Sequence, residues 1–249
     1  MLKFVVITGS SGGIGSALVK TFINDGYNVV GIDKCKSELS SDLYREVIAD
    51  LNKLAQEENY RIKVLQQIKA LLPEEKYEFI LINNAAIQLL NKLENLNTED
   101  WYRSLSINLV APFFLVHGLL EQLTEMNGCV INISSIHARL TKSDFSCYAA
   151  SKAALESLTR SLAIELSGRG VSVNAISPAA ISTEMLKEGF AKTPHKLEEL
   201  ESFHPSGSIG TPEQLATFVK SISEQRGGFL TGSVLEFNGA IGGKLHDPN

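Results

Sequence analysis

Apolar residues along this chain follow two alternating rhythms. Phe4–Thr8 is a nearly unbroken apolar run of strand length, and Ile14, Ala17, Leu18 and Phe22 then recur on one face of a helix. Asp25-Gly26 stops that helix, Gly26 being suited to the C-cap, and Asn28–Asp33 reads as a second strand. Strand, turn, helix, strand is a βαβ unit, which requires parallel pairing through a right-handed crossover. The alternation continues with a strand at 46–51 and an amphipathic helix over Tyr60–Leu72. The strand at 79–86 is nearly all apolar, as a sheet covered on both faces demands. A long helix starts at Asn97 or Thr98, with Glu99 and Asp100 in its dipole-favoured first turn. A strand at 129–135, a helix over Tyr148–Glu165 and a strand at 171–177 follow. Residues 184–206 are charged, mixed in sign and weakly periodic, which predicts a mobile substrate flap with a short helix. Thr211, Pro212 and Gln214 open the last helix as N-cap, first helical residue and capping-box partner, ahead of a strand at 233–237. No linker or repeat divides residues 1–249. The pattern predicts one α/β domain, a doubly wound parallel sheet of about seven strands with helices on both faces.

Composition narrows the class. With 249 residues, 44% of them hydrophobic, the chain can fill the core of such a sheet. A net charge of −5 disfavours nucleic acid and anionic membrane as partners. No apolar run approaches the roughly 18 residues of a membrane span, and the strand-like opening does not read as a leader. A soluble, cytoplasmic protein is expected. Cys35, Cys129 and Cys147 are odd in number and lack metal-ligand spacing. They read as thiols of a reducing compartment, and no metal is expected.

The stretch "TGSSGGIG" at 8–15 concentrates backbone freedom in the first strand-to-helix turn. In a doubly wound sheet, ligands bind at the carboxyl ends of the strands, where this turn lies. Gly9 allows a tight turn, Gly13 lets backbone approach a pyrophosphate, and Gly15 lets the helix pack on the sheet, with Ile14 in the same first turn. The helix N-terminus offers free N–H groups and partial positive charge, and Ser10 and Ser11 add hydroxyl donors. The spacing is G-x-x-x-G-x-G rather than G-x-G-x-x-G, so a purely structural turn remains the alternative. Asp33 ends the second strand, where a carboxylate accepts from both hydroxyls of an adenosine ribose and repels a 2′-phosphate. NAD(H) is therefore favoured over NADP(H), although Lys34 offers a phosphate some charge.

Tyr148 and Lys152 share one helix face a turn apart in "YAASK". An ammonium beside a phenol stabilises the phenolate. Lowering a tyrosine by about 2–3 units needs roughly 3–4 kcal/mol, which the ammonium and an oxidised nicotinamide ring nearby would together supply. Ser135 ends a strand, close enough in sequence for its hydroxyl to join that of Tyr148 over one substrate oxygen. Asn108 lies in the long helix four residues before Pro112, which has no N–H for the Asn108 carbonyl, leaving that carbonyl to hold a water.

With these motifs the chain resembles the short-chain dehydrogenase/reductases in their short single-domain form. "TGSSGGIG" is similar to the family's T-G-x-x-x-G-x-G, "NNAA" at 83–86 to N-N-A-G, and "YAASK" to Y-x-x-x-K, with "SPAA" at 177–180 also in step. The resemblance implies a Rossmann-like fold and a catalytic tetrad of Asn108, Ser135, Tyr148 and Lys152. It implies adenine contacts from Asp50 and Leu51, cofactor contacts from Asn84, Ala85, Ala86, Pro178, Tyr148 and Lys152, with Lys152 anchoring the nicotinamide ribose, and carboxamide contacts from Ile181 and Thr183. It implies a homotetramer or homodimer in which Leu115, Leu119, Leu158 and Leu162 meet a second copy. Ala86 and Ala179 replace the family's glycines, each adding a methyl beside the cofactor, and the short stretch from Asp33 to Asp50 implies a turn in place of a helix.

Hydride transfer between nicotinamide and a carbonyl or secondary alcohol is the implied reaction. Residues 136–147, Gln88 and the flap should line the substrate pocket, with His137 and Arg139 as its polar candidates. Such a lining suits a small polar ketone, a sugar or a polyol. A 3-oxoacyl thioester is the alternative substrate, and an NAD-binding sensor or scaffold without turnover is the alternative of another class.

Overall fold

The apolar runs become the strands of one parallel sheet: β1 (Leu2–Thr8), β2 (Asn28–Asp33), β3 (Tyr44–Ile48), β4 (Tyr77–Asn83), β5 (Cys129–Ile133), β6 (Ser172–Pro178) and β7 (Val234–Phe237). Their spatial order is β3-β2-β1-β4-β5-β6-β7, a doubly wound, Rossmann-like arrangement. The computed structural model describes residues 1–184, 186, 190, 194–225 and 228–244.

Successive side chains of each strand point to opposite faces, so two cores form. On one face Val5, Ile7, Ile80, Ile82, Ile131 and Ile133 pack with α1 (Gly13–Asn24) and a late helix, Pro212–Ser223. On the other, Val6, Phe79, Leu81, Val130 and Val173 pack with the helices that lie between β3 and β6. Each large apolar side chain fully withdrawn from water contributes about 1.5–3 kcal/mol, and both faces are covered, which is why the strands read as apolar runs.

Several boundaries differ from the periodicity. β3 begins earlier than 46 and ends before Asp50, because the Asp50 carboxylate accepts from the N–H groups of Asn52 (2.8 Å) and Lys53 (3.4 Å). That N-cap starts α2 (Leu51–Gln56), and α3 (Glu58–Lys69) follows a break at Glu57, in place of one helix over Tyr60–Leu72. β4 ends at Asn83 rather than 86, since the N–H groups of Asn84 and Ala85 turn to the Thr8 hydroxyl (both 3.0 Å). Residues 34–43 connect β2 to β3 without a helix.

The long helix from Asn97 is broken into α4 (Thr98–Leu105), a π-turn at Ser106–Val110, α5 (Ala111–Gly118) and α6 (Leu120–Glu125). In the π-turn the Ala111 N–H reaches back to the Ser106 carbonyl. Pro112 cannot continue the α-helical ladder to Asn108, and the widened turn sits just ahead of it. α7 (Ser146–Ser167) is longer than Tyr148–Glu165 by two residues at each end. Within the expected flap, α8 (Pro194–Phe203) is formed, while residues 185, 187–189 and 191–193 lie outside the described residues. α9 (Pro212–Ser223) starts with the expected capping box of Thr211 and Gln214.

Leu115, Leu119 and Leu162 are buried in the core of the single chain and so are not free to meet a second copy as the resemblance implies, while Leu158 is only partly buried against that core. No helix among the described residues is long and apolar enough to cross a membrane.

Candidate active site

Strand order reverses between β1 and β4, and the turn after β1 lies in that crevice. Gly9 has φ +66°, and a Cβ on it would come within 2.9 Å of the Ala85 Cα. A Cβ on Gly15 would overlap the Gly9 carbonyl oxygen, so α1 packs on the turn backbone to backbone. Gly12 precedes α1 and no side chain caps its first turn. The N–H groups of Gly13, Ile14 and Gly15 are thus the uncapped positive end of a helix. A Cβ on Gly13 would stand 3.0 Å from the Thr183 methyl, so Thr183 faces the turn across a narrow gap. Bare backbone, uncapped N–H groups and that gap are the chemistry of a pyrophosphate cradle, and the residues present fit a dinucleotide.

The serines of this turn have other duties than those expected. Ser10 is 2% exposed, its Oγ 3.2 Å from the Tyr44 hydroxyl in space that only a glycine at 31 leaves open. Ser11 Oγ donates to the Cys35 carbonyl. The Ser11 hydroxyl thus has its proton engaged, while that of Ser10 shares a bond with Tyr44 in which either can donate. Asn84 likewise donates its amide to the carbonyls of Thr8 (3.0 Å) and Gly9 (3.2 Å), so it shapes the turn rather than presenting that amide to a ligand.

Asp33 stands at the end of β2 beside the turn. Its two oxygens accept from the N–H groups of Ser11 (3.0 Å) and Cys35 (3.1 Å), which fixes the carboxylate in position. Asp50 and Leu51 reach the same sheet edge, where the Ala49 N–H donates to the Asp33 carbonyl. Asp50 caps α2 there and the Leu51 side chain is buried in the core, so Leu51 offers only its backbone. Pro178 ends β6, and Ile181 is buried with its side chain against Gly210, leaving backbone and Thr183 at the surface of that loop. Ala86 and Ala179 are not among the residues with positive φ, so their methyl groups impose no backbone strain.

Ser135 and Tyr148 come together as expected, near enough for the Ser135 side chain to act on the Tyr148 hydroxyl. Ser135 follows β5, and its Oγ accepts from the His137 N–H (3.2 Å). Burial raises the Tyr148 pKa and the Ser135 side chain lowers it, with burial the larger effect. Lys152 is 2% exposed and donates to the Ile133 carbonyl (2.6 Å), with Nζ 5.8 Å from the Tyr148 ring centroid. Burial pulls the lysine itself down to about 7, against the raising charge of Glu156.

Asn108 is fully buried in the π-turn. Its side chain accepts from the Ile87 N–H (2.9 Å) and donates to the Ile87 carbonyl (3.0 Å) and to Ser151 Oγ (2.9 Å). Ser151 in turn donates to the Tyr148 carbonyl (2.7 Å). Asn108 therefore ties the loop after β4 to the helix that carries Tyr148. The roles of Thr8 and Ser151 were missed by sequence reasoning; the signals were the threonine that opens the glycine motif and a hydroxyl within "YAASK".

Around Tyr148, the His137 ring stacks on Phe145 with centroids 4.0 Å apart and lies 6.0 Å from the Tyr148 ring. Arg139, read from sequence as a polar candidate for the pocket or as a solvated surface arginine, pairs with Glu236 (2.6 Å), and both side chains are exposed. Burial, helped by Lys142, lowers His137 to about 4. His137 is therefore expected to stay a neutral imidazole at mildly acidic pH. An NMR titration of its ring should show a midpoint well below the ordinary histidine value, and a midpoint at or above that value would contradict the burial argument. No cluster of metal-ligating side chains occurs among the described residues.

A family model described as short chain dehydrogenase matches residues 3–194. The 3beta-hydroxysteroid dehydrogenase 1 of Eggerthella lenta is 31% identical over 245 residues, covering 96% of this chain and 93% of that protein. The NAD-dependent glycerol dehydrogenase of Listeria innocua is 30% identical over 247 residues, covering 95% and 92%. The solved structure of a 4-hydroxyisoleucine dehydrogenase complexed with NADH superposes with a TM-score of 0.85 at 27% identity, covering 95% of this chain and 97% of that one. A match that runs from β1 to the start of α8, with relatives aligned nearly end to end, has one reading: this chain belongs to the short-chain dehydrogenase family of oxidoreductases.

Proposed function

We propose that this protein is an NAD(H)-dependent oxidoreductase acting between a carbonyl and a secondary alcohol, with Asn108, Ser135, Tyr148 and Lys152 as its catalytic group and residues 1–249 as one functional unit. The approach of the Ser135 side chain to the Tyr148 hydroxyl at the carboxyl edge of the sheet carries this reading. The Gly13, Ile14 and Gly15 amides would hold the pyrophosphate, Asp33 the adenosine ribose, and Thr183 the nicotinamide side. When bound, the nicotinamide supplies or receives the hydride, and its oxidised ring adds positive charge. Tyr148 gives its proton to the substrate oxygen in reduction and takes it back in oxidation. Ser135 donates a hydrogen bond to the same oxygen. Lys152, behind Tyr148, stabilises the phenolate left by proton transfer. Asn108 keeps these parts in register through Ile87 and Ser151.

A small polar ketone, sugar or polyol is the substrate class. His137, a neutral polar group beside Tyr148, supports a neutral polar substrate. Steady-state assays over ketones, polyols and 3-oxoacyl thioesters with NADH and NADPH test this. Thioester turnover alone would select the alternative substrate, and NADH binding without turnover of any compound would select a sensor.

The protein is read as cytoplasmic and as a homotetramer or homodimer. Trp101, Tyr102, Phe113 and Ile164 leave apolar surface exposed on α4, α5 and α7, and β7 is an open sheet edge. Light scattering at micromolar concentration should give a multiple of the chain mass; a stable monomer would reject the assembly.

A further inference from the structure

Three consecutive residues at the end of β5 each tie that strand to α7. Asn132 donates its amide to Thr159 Oγ1 (2.9 Å), the Ile133 carbonyl accepts from Lys152 Nζ (2.6 Å), and Ser134 Oγ donates to Glu156 Oε1 (2.8 Å). Lys152 and Glu156 are one turn apart on the same helix face. Lys152 and Ser134 are each 2% exposed. A buried ammonium whose hydrogen bond goes to a neutral carbonyl is costly unless an anion stands near.

Glu156 is the nearby anion: its carboxylate is held by Ser134, next in sequence to the Ile133 whose carbonyl takes the lysine, and its charge favours the ammonium without an ion pair between the two side chains. β5, β6 and the π-turn bring no charged side chain to α7. Asp100 of α4 acts on Cys147 at the start of α7, and His137 stands beside Tyr148 and is neutral. On α7 itself the titratable neighbours one turn either side of Lys152 are Tyr148 and Glu156.

We propose that Glu156 is a positioning residue of the catalytic group: clamped by Ser134 one helical turn from Lys152, its carboxylate favours the charged form of the lysine that donates to the adjacent Ile133 carbonyl, at the junction of β5 and α7 behind Tyr148. This rests on the reading of Lys152 as the cation of that group. The carboxylate favours the charged lysine, so its removal shifts loss of the ammonium to lower pH. An ammonium that donates to the nicotinamide ribose then fails at lower pH as well.

The test is NADH titration by fluorescence from mildly acidic to mildly alkaline pH, on wild type, E156Q, E156D, S134A and K152A. In E156Q the pH at which NADH binding weakens should fall by about one unit, with acid-side affinity retained. E156D keeps the charge and should keep the midpoint, and S134A should move it in the same direction by less. An E156Q midpoint equal to wild type, or an affinity loss equal at every pH, would overturn the proposal, because a merely structural role does not move the midpoint. Should E156Q not fold, S134A decides: a midpoint at lower pH supports the proposal and an unmoved one overturns it. If K152A keeps the wild-type pH dependence, the reading of Lys152 itself fails. If K152A abolishes it while E156Q leaves it unmoved, only the role of Glu156 fails.

Discussion

Replacing Tyr148 by Phe is expected to lower turnover by about 10²–10⁴-fold, the usual contribution of a positioned general acid or base. NADH affinity should stay within a few-fold of wild type. The ring keeps its edge contacts with His137 and Phe145, and only the hydroxyl beside Ser135 is lost. Ser135 keeps its bond from the His137 N–H, so the fold loses no more than about 1 kcal/mol. No neighbour replaces the proton carrier. Lys152 is directed at the Ile133 carbonyl, and the His137 Nδ1 is engaged with the Thr141 hydroxyl (3.2 Å). Steady-state rates of the two proteins on any accepted substrate decide the matter, and a Y148F variant as fast as wild type would remove Tyr148 from the chemistry.

Asp33→Ala is expected to erase most of a wild-type preference for NADH over NADPH of roughly ten- to a hundred-fold, since charged hydrogen bonds contribute about 1.5–3 kcal/mol each. Two effects add. The carboxylate no longer accepts from the ribose or repels a 2′-phosphate, and the N–H groups of Ser11 and Cys35 lose their acceptor. Those freed donors, with Lys34 nearby in sequence, then suit a phosphate. NADH affinity should fall partly because the glycine turn loosens, and Asp33→Asn separates the terms by keeping an acceptor for the backbone without the charge. Titration of both coenzymes into the three proteins tests this. Equal wild-type affinity for NADH and NADPH, or an undiminished preference in the alanine variant, would mean that Asp33 is not the selector.

The parallel sheet, its seven strands and the order of the motifs were legible in the residues because they follow from local rules. Strands covered on both faces must be apolar throughout, helices must show one apolar face, and a turn such as that at Gly9, with φ +66°, needs glycine. Where local rules competed, the outcome was less legible. Asp50 reads equally as a strand end or a helix cap, and capping won. Pro112 announced a disturbance in the helix, but the chain could as well have kinked as widened into the π-turn that seats Asn108.

Sequence alone determined which residues gather at the carboxyl edge of the sheet: Gly9, Gly13 and Gly15, Asp33, Ser135, Tyr148 and Lys152. Motif position along a βα alternation decides that, whatever the side chains then do. Only the tertiary structure decided how each side chain is used, because hydrogen-bond partners come from elements far apart in the chain. It turned Ser10 toward Tyr44, Arg139 toward Glu236, Lys152 toward the Ile133 carbonyl and Ser134 toward Glu156. It also made core of Leu115, Leu119 and Leu162, since a helical apolar stripe looks the same whether a sheet or a second subunit covers it.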